Sequence, residues 1–179
     1  MRKGISRREL LAAGVALPFS GIACAQPTCG ERTAPQTEGP FFKPKSPERI
    51  SLLETDFKGE KIVLTGVVLS RSCKPVANAL LDFWQADDAG EYDNRGFRYR
   101  GHQFSDADGR FRLETIVPAR YPGRTRHFHV KVQAPQKRVL TTQIYFPGEP
   151  GNARDPLYRA TLAMRKTAGE GHFDFVIDA

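Results

Sequence analysis

The sequence predicts an all-β fold, an antiparallel β-sandwich carrying an N-terminal arm and long loops. Six short runs of β-prone or alternating residues lie between residue 61 and the C-terminus, separated by turn residues. Gly and Pro make up 29 of the 179 residues and, beyond residue 61, all but Gly66 fall between those runs, as a chain of many turns requires. At 179 residues the chain fits one ordinary domain and falls well short of the ~250 residues of a (β/α)8 barrel. Its 12 Phe, 5 Tyr and single Trp exclude a disordered chain, which lacks the aromatics to close a core.

Residues 1–25 read as an export signal and stand apart from the fold. Arg2, Lys3, Arg7 and Arg8 make a basic start, residues 10–22 are apolar or small, and Ala23-Cys24-Ala25 offers a small-x-small cleavage site before Gln26. The apolar stretch is too short to span a membrane, and no later run approaches the ~18 residues an integral segment needs. Ser6-Arg7-Arg8-Glu9-Leu10-Leu11 resembles the twin-arginine export signal of bacteria, which implies a periplasmic or secreted protein. Residues 26–179 remain as a single domain holding 23 basic and 19 acidic groups. This mild excess suits small anionic ligands. The basic residues are scattered, and no zinc-finger or RNP-type pattern occurs, so no nucleic-acid partner is expected. In an exported chain Cys29 and Cys73 invite a disulfide, with two separate thiols as the other reading.

Along the mature chain, residues 27–58 lack a clean period. Thr37-Glu38-Gly39-Pro40-Phe41-Phe42 looks like an ordered arm whose aromatics pack on the body, and residues 50–53 suggest a short helical turn. Strands are predicted over 62–69, 79–85, 110–116, 127–133, 139–146 and 172–177. Cys73-Lys74-Pro75, Asp87-Asp88-Ala89-Gly90 and Ser105-Asp106-Ala107-Asp108-Gly109 supply turns. Residues 92–100 and 118–125 read as loops, and 157–166 as a short helix. A sandwich with exposed apolar edges would favour a homo-oligomer.

The strongest local chemical signal is His127-Phe128-His129. Residues i and i+2 of a strand share a face, so both imidazoles point one way while Phe128, Val130 and Val132 point into the core. Two ring nitrogens on one rigid strand can hold a metal with little reorganisation, although a plain polar face fits the same pattern. Only two other histidines exist, His102 and His172, and His102 could add a third nitrogen. Tyr92 and Tyr121 sit in loops near this strand. A phenolate is a hard anionic donor that favours a high-charge cation such as Fe(III).

Taken together, Thr37-Glu38-Gly39-Pro40-Phe41, Leu81-Asp82-Phe83-Trp84-Gln85-Ala86-Asp87, Gly90-Glu91-Tyr92, Phe97-Arg98-Tyr99-Arg100-Gly101 and Arg124-Thr125-Arg126-His127-Phe128-His129-Val130 resemble the intradiol ring-cleavage dioxygenases, the family of the catechol and protocatechuate 3,4-dioxygenases. The resemblance implies a β-sandwich and a non-haem Fe(III) cofactor held by Tyr92, Tyr121, His127 and His129. It also implies a small catechol-type substrate, opened with O2 between its two hydroxyl-bearing carbons to a cis,cis-muconate-type diacid. Tyr121 takes the part of the axial tyrosine that leaves when substrate binds, and Arg124 that of the cation that stabilises charge on the ring. Gln143 is a candidate to orient a ligand histidine or the substrate. Arg126 falls on the Phe128 side of its strand and has no such role.

Two features set the chain apart from the familiar members. His127 follows Tyr121 by only six positions, so the loop over the substrate is cut down, and the chain is small and exported. The competing reading is an exported sandwich that binds metal or an aromatic ligand without turnover.

Overall fold

The protein is described by a computed structural model covering residues 30–179. The export signal expected over 1–25 and Cys29 lie outside the described residues. Among those described, nine strands form two sheets, and no helix is long and apolar enough to cross a membrane.

The first sheet has the order β3-β2-β5-β6 and is antiparallel throughout. It contains β2 (Leu80–Trp84), β3 (Arg100–Phe104), β5 (His127–Gln133) and β6 (Leu140–Tyr145). The second is built on β1 (Lys61–Ser70), which pairs antiparallel with β4 (Arg110–Ile116) along one side. Its other side takes two short parallel strands in turn, β8 (Glu170–His172) and then β9 (Phe175–Ile177), while β7 (Arg165–Thr167) completes the sheet beside β8.

Alternation decides which side of each strand is buried. Ile62, Leu64 and Val68 of β1 face Leu81, Phe83, Val130 and Val132 of the other sheet within one apolar cluster. Phe83, Phe111 and Phe175 link the two sheets, with ring centroids 5.9 and 5.6 Å apart in succession. The predicted 172–177 strand is broken in two at Phe173-Asp174. There the Asp174 carboxylate, rather than a strand carbonyl, accepts the Val67 N–H at 2.9 Å. Gly66 makes the break possible, because a Cβ at that position would lie 1.8 Å from the Phe173 carbonyl oxygen.

The arm ties the sheets together. Thr33 N–H donates to Val176 O, and Gln36 N–H donates to Thr141 O. Further on, Glu48 bridges His102 and Ser51 bridges Glu114, so one short segment covers the free edges of both β3 and β4. Residues 50–53 are therefore extended and not the expected helical turn. The expected helix over 157–166 is also absent. A single 3₁₀ turn, Ala160–Leu162, precedes Ala163 and Met164, and Leu162, Ala163 and Met164 are all fully buried. Three consecutive buried residues suit an extended segment, here held by the Met164 N–H donating to Tyr145 O at 3.0 Å. Strands β3 and β7 were not expected, since Arg-Gly-His-Gln-Phe and Arg-Lys-Thr carry no apolar alternation.

Replacing Phe83 by Ala removes the ring joining the sheets and is expected to lower stability by about 3–5 kcal/mol in chemical denaturation. A loss under about 1 kcal/mol would mean that the sheets do not close on this ring.

Candidate active site

Directly opposed residues of an antiparallel sheet project from the same face. On the outer face of the first sheet, the register aligns Arg100, Trp84, His129 and Gln143 in one row across four strands. His127 and Tyr145 form the adjacent row. The core-facing Phe128, Val130 and Val132 lock β5 from behind. The imidazole pair thus stands on a strand bonded on both sides.

Its geometry is close. His127 Nε2 lies 3.1 Å from His129 Nε2, and the Tyr92 hydroxyl lies 3.4 Å from His127 Nε2. The Thr125 carbonyl can only accept, so His127 Nδ1, 2.7 Å away, carries a proton and donates it. Burial, with the charge of Arg124 second, holds the His127 pKa down to about 4. Burial, then His127 and Arg124, holds His129 well below its ordinary value. Both rings are therefore neutral at pH 7, and His127 Nε2 presents a lone pair to its neighbours. Two nitrogens each about 2.1 Å from one cation, at a right angle, lie about 3 Å apart. The observed spacing fits shared ligation. Among the described residues no group of three or more His, Cys, Asp or Glu could hold a metal, so a site here needs the tyrosine oxygens.

Tyr92 is buried and stacked on Phe41, with centroids 4.5 Å apart. Burial raises its phenol pKa against the pull of Arg124 and Arg100. Tyr121 is half-buried on the loop before β5, its ring 5.9 Å from Tyr92 and 5.3 Å from Phe41. Backbone contact brings these two loops together. Ala119 N–H donates to Asp87 O at 2.8 Å, and a Cβ on Gly90 (φ +88°) would sit 2.6 Å from Arg120 O.

Arg124 is anchored on both arms of its guanidinium. Its Nε donates to Asp155 at 2.9 Å, and one Nη donates to Gln143 Oε1 at 2.7 Å. Burial pushes Asp155 up, but N–H groups of Thr125 and Leu157 and the Arg124 charge outweigh it and keep the carboxylate ionised. Beside Tyr121 and Arg124 opens a cleft of about 390 Å3, also lined by Arg120, Arg154 and Asp155.

A family model described as "Dioxygenase" matches residues 37–171. The chain belongs to the intradiol ring-cleavage dioxygenase family. It is 38% identical over 152 residues to the protocatechuate 3,4-dioxygenase β chain of Burkholderia cepacia, covering 66% of this chain and 65% of that one. It is 28% identical to the catechol 1,2-dioxygenase of Acinetobacter baylyi, spanning 72% of this chain and only 51% of the relative. Among solved structures, the dioxygenase domain of a dioxygenase–carbohydrate-binding fusion from Streptomyces sp. SirexAA-E is 55% identical. It superimposes with a TM-score of 0.80, covering 83% of this chain and 99% of that one.

Of the residues that the family resemblance singled out, Tyr92, His127 and His129 converge, Tyr121 packs against Tyr92, and Arg124 lies on the same loop as Tyr121, its N–H donating to the Tyr121 carbonyl. Gln143, opposite His129 on β6, makes no hydrogen bond to either imidazole. Its amide joins Arg124, the Tyr145 hydroxyl and the Thr37 carbonyl. His102 stands apart, bonded to the Ser46 carbonyl at 2.8 Å. Arg126 is turned to the Pro118 carbonyl and Glu149. Asp155 and Tyr145 were not anticipated: each lies more than 15 residues from its partner Arg124, with no spacing rule to connect them.

The buried imidazoles make the iron-free protein sensitive to acid. Unfolding frees His127 to bind a proton near its ordinary pKa of about 6.5. Stability is therefore fully present above that pH and falls as pH drops from about 6.5 toward about 4. Equilibrium unfolding across this range is expected to show the slope, and His127→Asn to flatten it. An unchanged slope in the variant would show that His127 titrates normally in the fold.

Proposed function

We propose that this protein is a non-haem Fe(III) dioxygenase that opens a small catechol between its two hydroxyl-bearing carbons, with both atoms of O2 entering a muconate-type diacid. The convergence of two neutral imidazoles and a tyrosine oxygen carries this reading, together with a substrate-sized cleft lined by the neighbouring Tyr121 and Arg124. Tyr92, Tyr121, His127 and His129 would hold the iron, two anionic and two neutral donors suited to a hard trivalent cation. Bound there, ferric iron would supply a Lewis acid that draws electron density from a chelated catecholate.

The residues divide the remaining work. Tyr92 is fixed by burial and by its stack on Phe41, so it serves as the permanent oxygen donor. Tyr121 is half-exposed on a loop facing the cleft, so it serves as the base that takes a proton from a catechol hydroxyl and swings away with it. Arg124 is held by Asp155 and Gln143 before substrate arrives, which is how a cation best stabilises charge developing on a ring. The export signal of residues 1–25 would place the enzyme outside the cytoplasm. A disulfide at Cys73 supports an oxidising compartment.

Purified mature protein is expected to bind about one iron per chain, to show a visible tyrosinate-to-iron absorption, and to consume catechol in air. His127→Ala and His129→Ala are expected to lose iron and colour together, and Tyr92→Phe to weaken the band while the fold persists. Iron and colour without ring-opened product would instead make the protein a binding module, and a protein that stays colourless and iron-free after ferric reconstitution would sink the whole reading.

Arg120 and Arg154, both exposed at the cleft, should draw in anionic substrates. For a carboxylated catechol, KM is expected to rise with ionic strength, and Arg120→Ala/Arg154→Ala to raise it several-fold at low salt and flatten that dependence. Equal salt dependence with neutral catechol would refute steering.

A further inference from the structure

The two imidazoles are held in different ways. A metal-binding histidine usually donates its second N–H to a carboxylate, carbonyl or water, which fixes the ring. His127 follows this pattern through the Thr125 carbonyl at 2.7 Å. His129 does not: its Nδ1 is buried and has no hydrogen-bond partner. What it has is Trp84. The indole lies face to face with the imidazole, with centroids 4.8 Å apart and planes within 10°. Trp84 is 1% exposed and stands directly opposite His129 across the β2–β5 ladder. Phe42 of the arm closes on its ring edge-on at 5.0 Å, and Arg100 follows it in the same row.

We propose that Trp84 is the positioning residue of His129, fixing by ring stacking the orientation that a hydrogen bond fixes for His127. An imidazole without such a bond is free to turn about its Cβ–Cγ axis, which would carry Nε2 away from His127 Nε2. A parallel indole face opposes that rotation, because any turn of the smaller ring breaks flat contact with the larger. The arm contributes through Phe42, which leaves Trp84 no room to tilt. The inference rests on the ferric reading of the site.

Trp84 is the only tryptophan of the chain, so it reports on its own role. Iron-free mature protein is titrated with ferric citrate, following tryptophan emission and the visible band together. In the wild type, iron is expected to quench the emission with the same midpoint as the band appears. Trp84→Leu is expected to bind iron about 10–100-fold more weakly, the usual effect of losing a residue that orients a ligand, and to alter the band and the ferric electron paramagnetic resonance signal. Trp84→Phe, which restores a flat ring, should recover part of the affinity and fold as judged by circular dichroism. Phe83→Leu, the core-facing neighbour on the same strand, should lower the melting temperature yet leave band and affinity unchanged. Wild-type affinity, band and resonance signal in both Trp84 variants would overturn the positioning role while leaving the ferric site standing. A wild type that takes up no iron and shows no quenching would overturn the ferric reading and this inference with it.

Discussion

His127 and His129 leave β5 on the side away from the core, and hydrogen-bonded ladders to β2 and β6 leave that strand no freedom to rotate. The same seven residues serve two interiors. Phe128, Val130 and Val132 close the sandwich, and the residues between them build the site. A one-residue slip of register would exchange the two sets, placing imidazoles in the core and apolar side chains under the arm. Register is therefore enforced by the hydrophobic effect, and the site inherits its precision from the core without spending separate interactions on it.

The outer face of this sheet is wet in a simple sandwich but buried here around Trp84, His127 and His129. The arm and the loops at Tyr92 and Tyr121 cover it with Phe41, Phe42 and two tyrosine rings, making a second small aromatic cluster around Trp84. Burial is what keeps both imidazoles neutral and ready to donate lone pairs. It also leaves the polar groups beneath the arm in need of partners. Arg100 meets this need in part: its Nε donates to Asp93 O at 3.0 Å and one Nη to Phe41 O at 2.5 Å, tying the loop of Tyr92 to the residue that stacks on it, while its other Nη is buried without a partner.

Most of the sandwich was legible because its strands obey period two. Strands over 110–116 and 127–133 have the bounds their alternation implies. Strand β3 was hidden because its residues answer to the arm and to the buried Arg100, not to the core. Residues 157–166 looked helical because their apolar residues are dense, but tertiary burial of three in succession overrode that local preference. The imidazole pair was visible from i, i+2 spacing alone. The tyrosines showed only as loop residues near that strand, and family likeness was needed to single them out as ligands, since a loop residue carries no periodicity. The partnership of Arg124 with Asp155 and Gln143 joins a loop, a turn and a strand, and no sequence rule links such positions.

The arm has one further consequence, for the order in which the protein is made. Thr33, near the start of the described chain, both donates its N–H to Val176 and accepts the Val176 N–H on its hydroxyl, a pair 143 residues apart. The segment that roofs His129 and Trp84 leaves the ribosome long before its anchor at Val176. Before Val176 emerges the arm already has ties to Thr141, Thr142 and Gln143 of β6, but its tie at Thr33 has to wait. Synthesis thus lays down the imidazole strand before this anchor of its cover, and a chain cut off before Val176 would keep that strand but lose the tie at Thr33 between the arm and the second sheet.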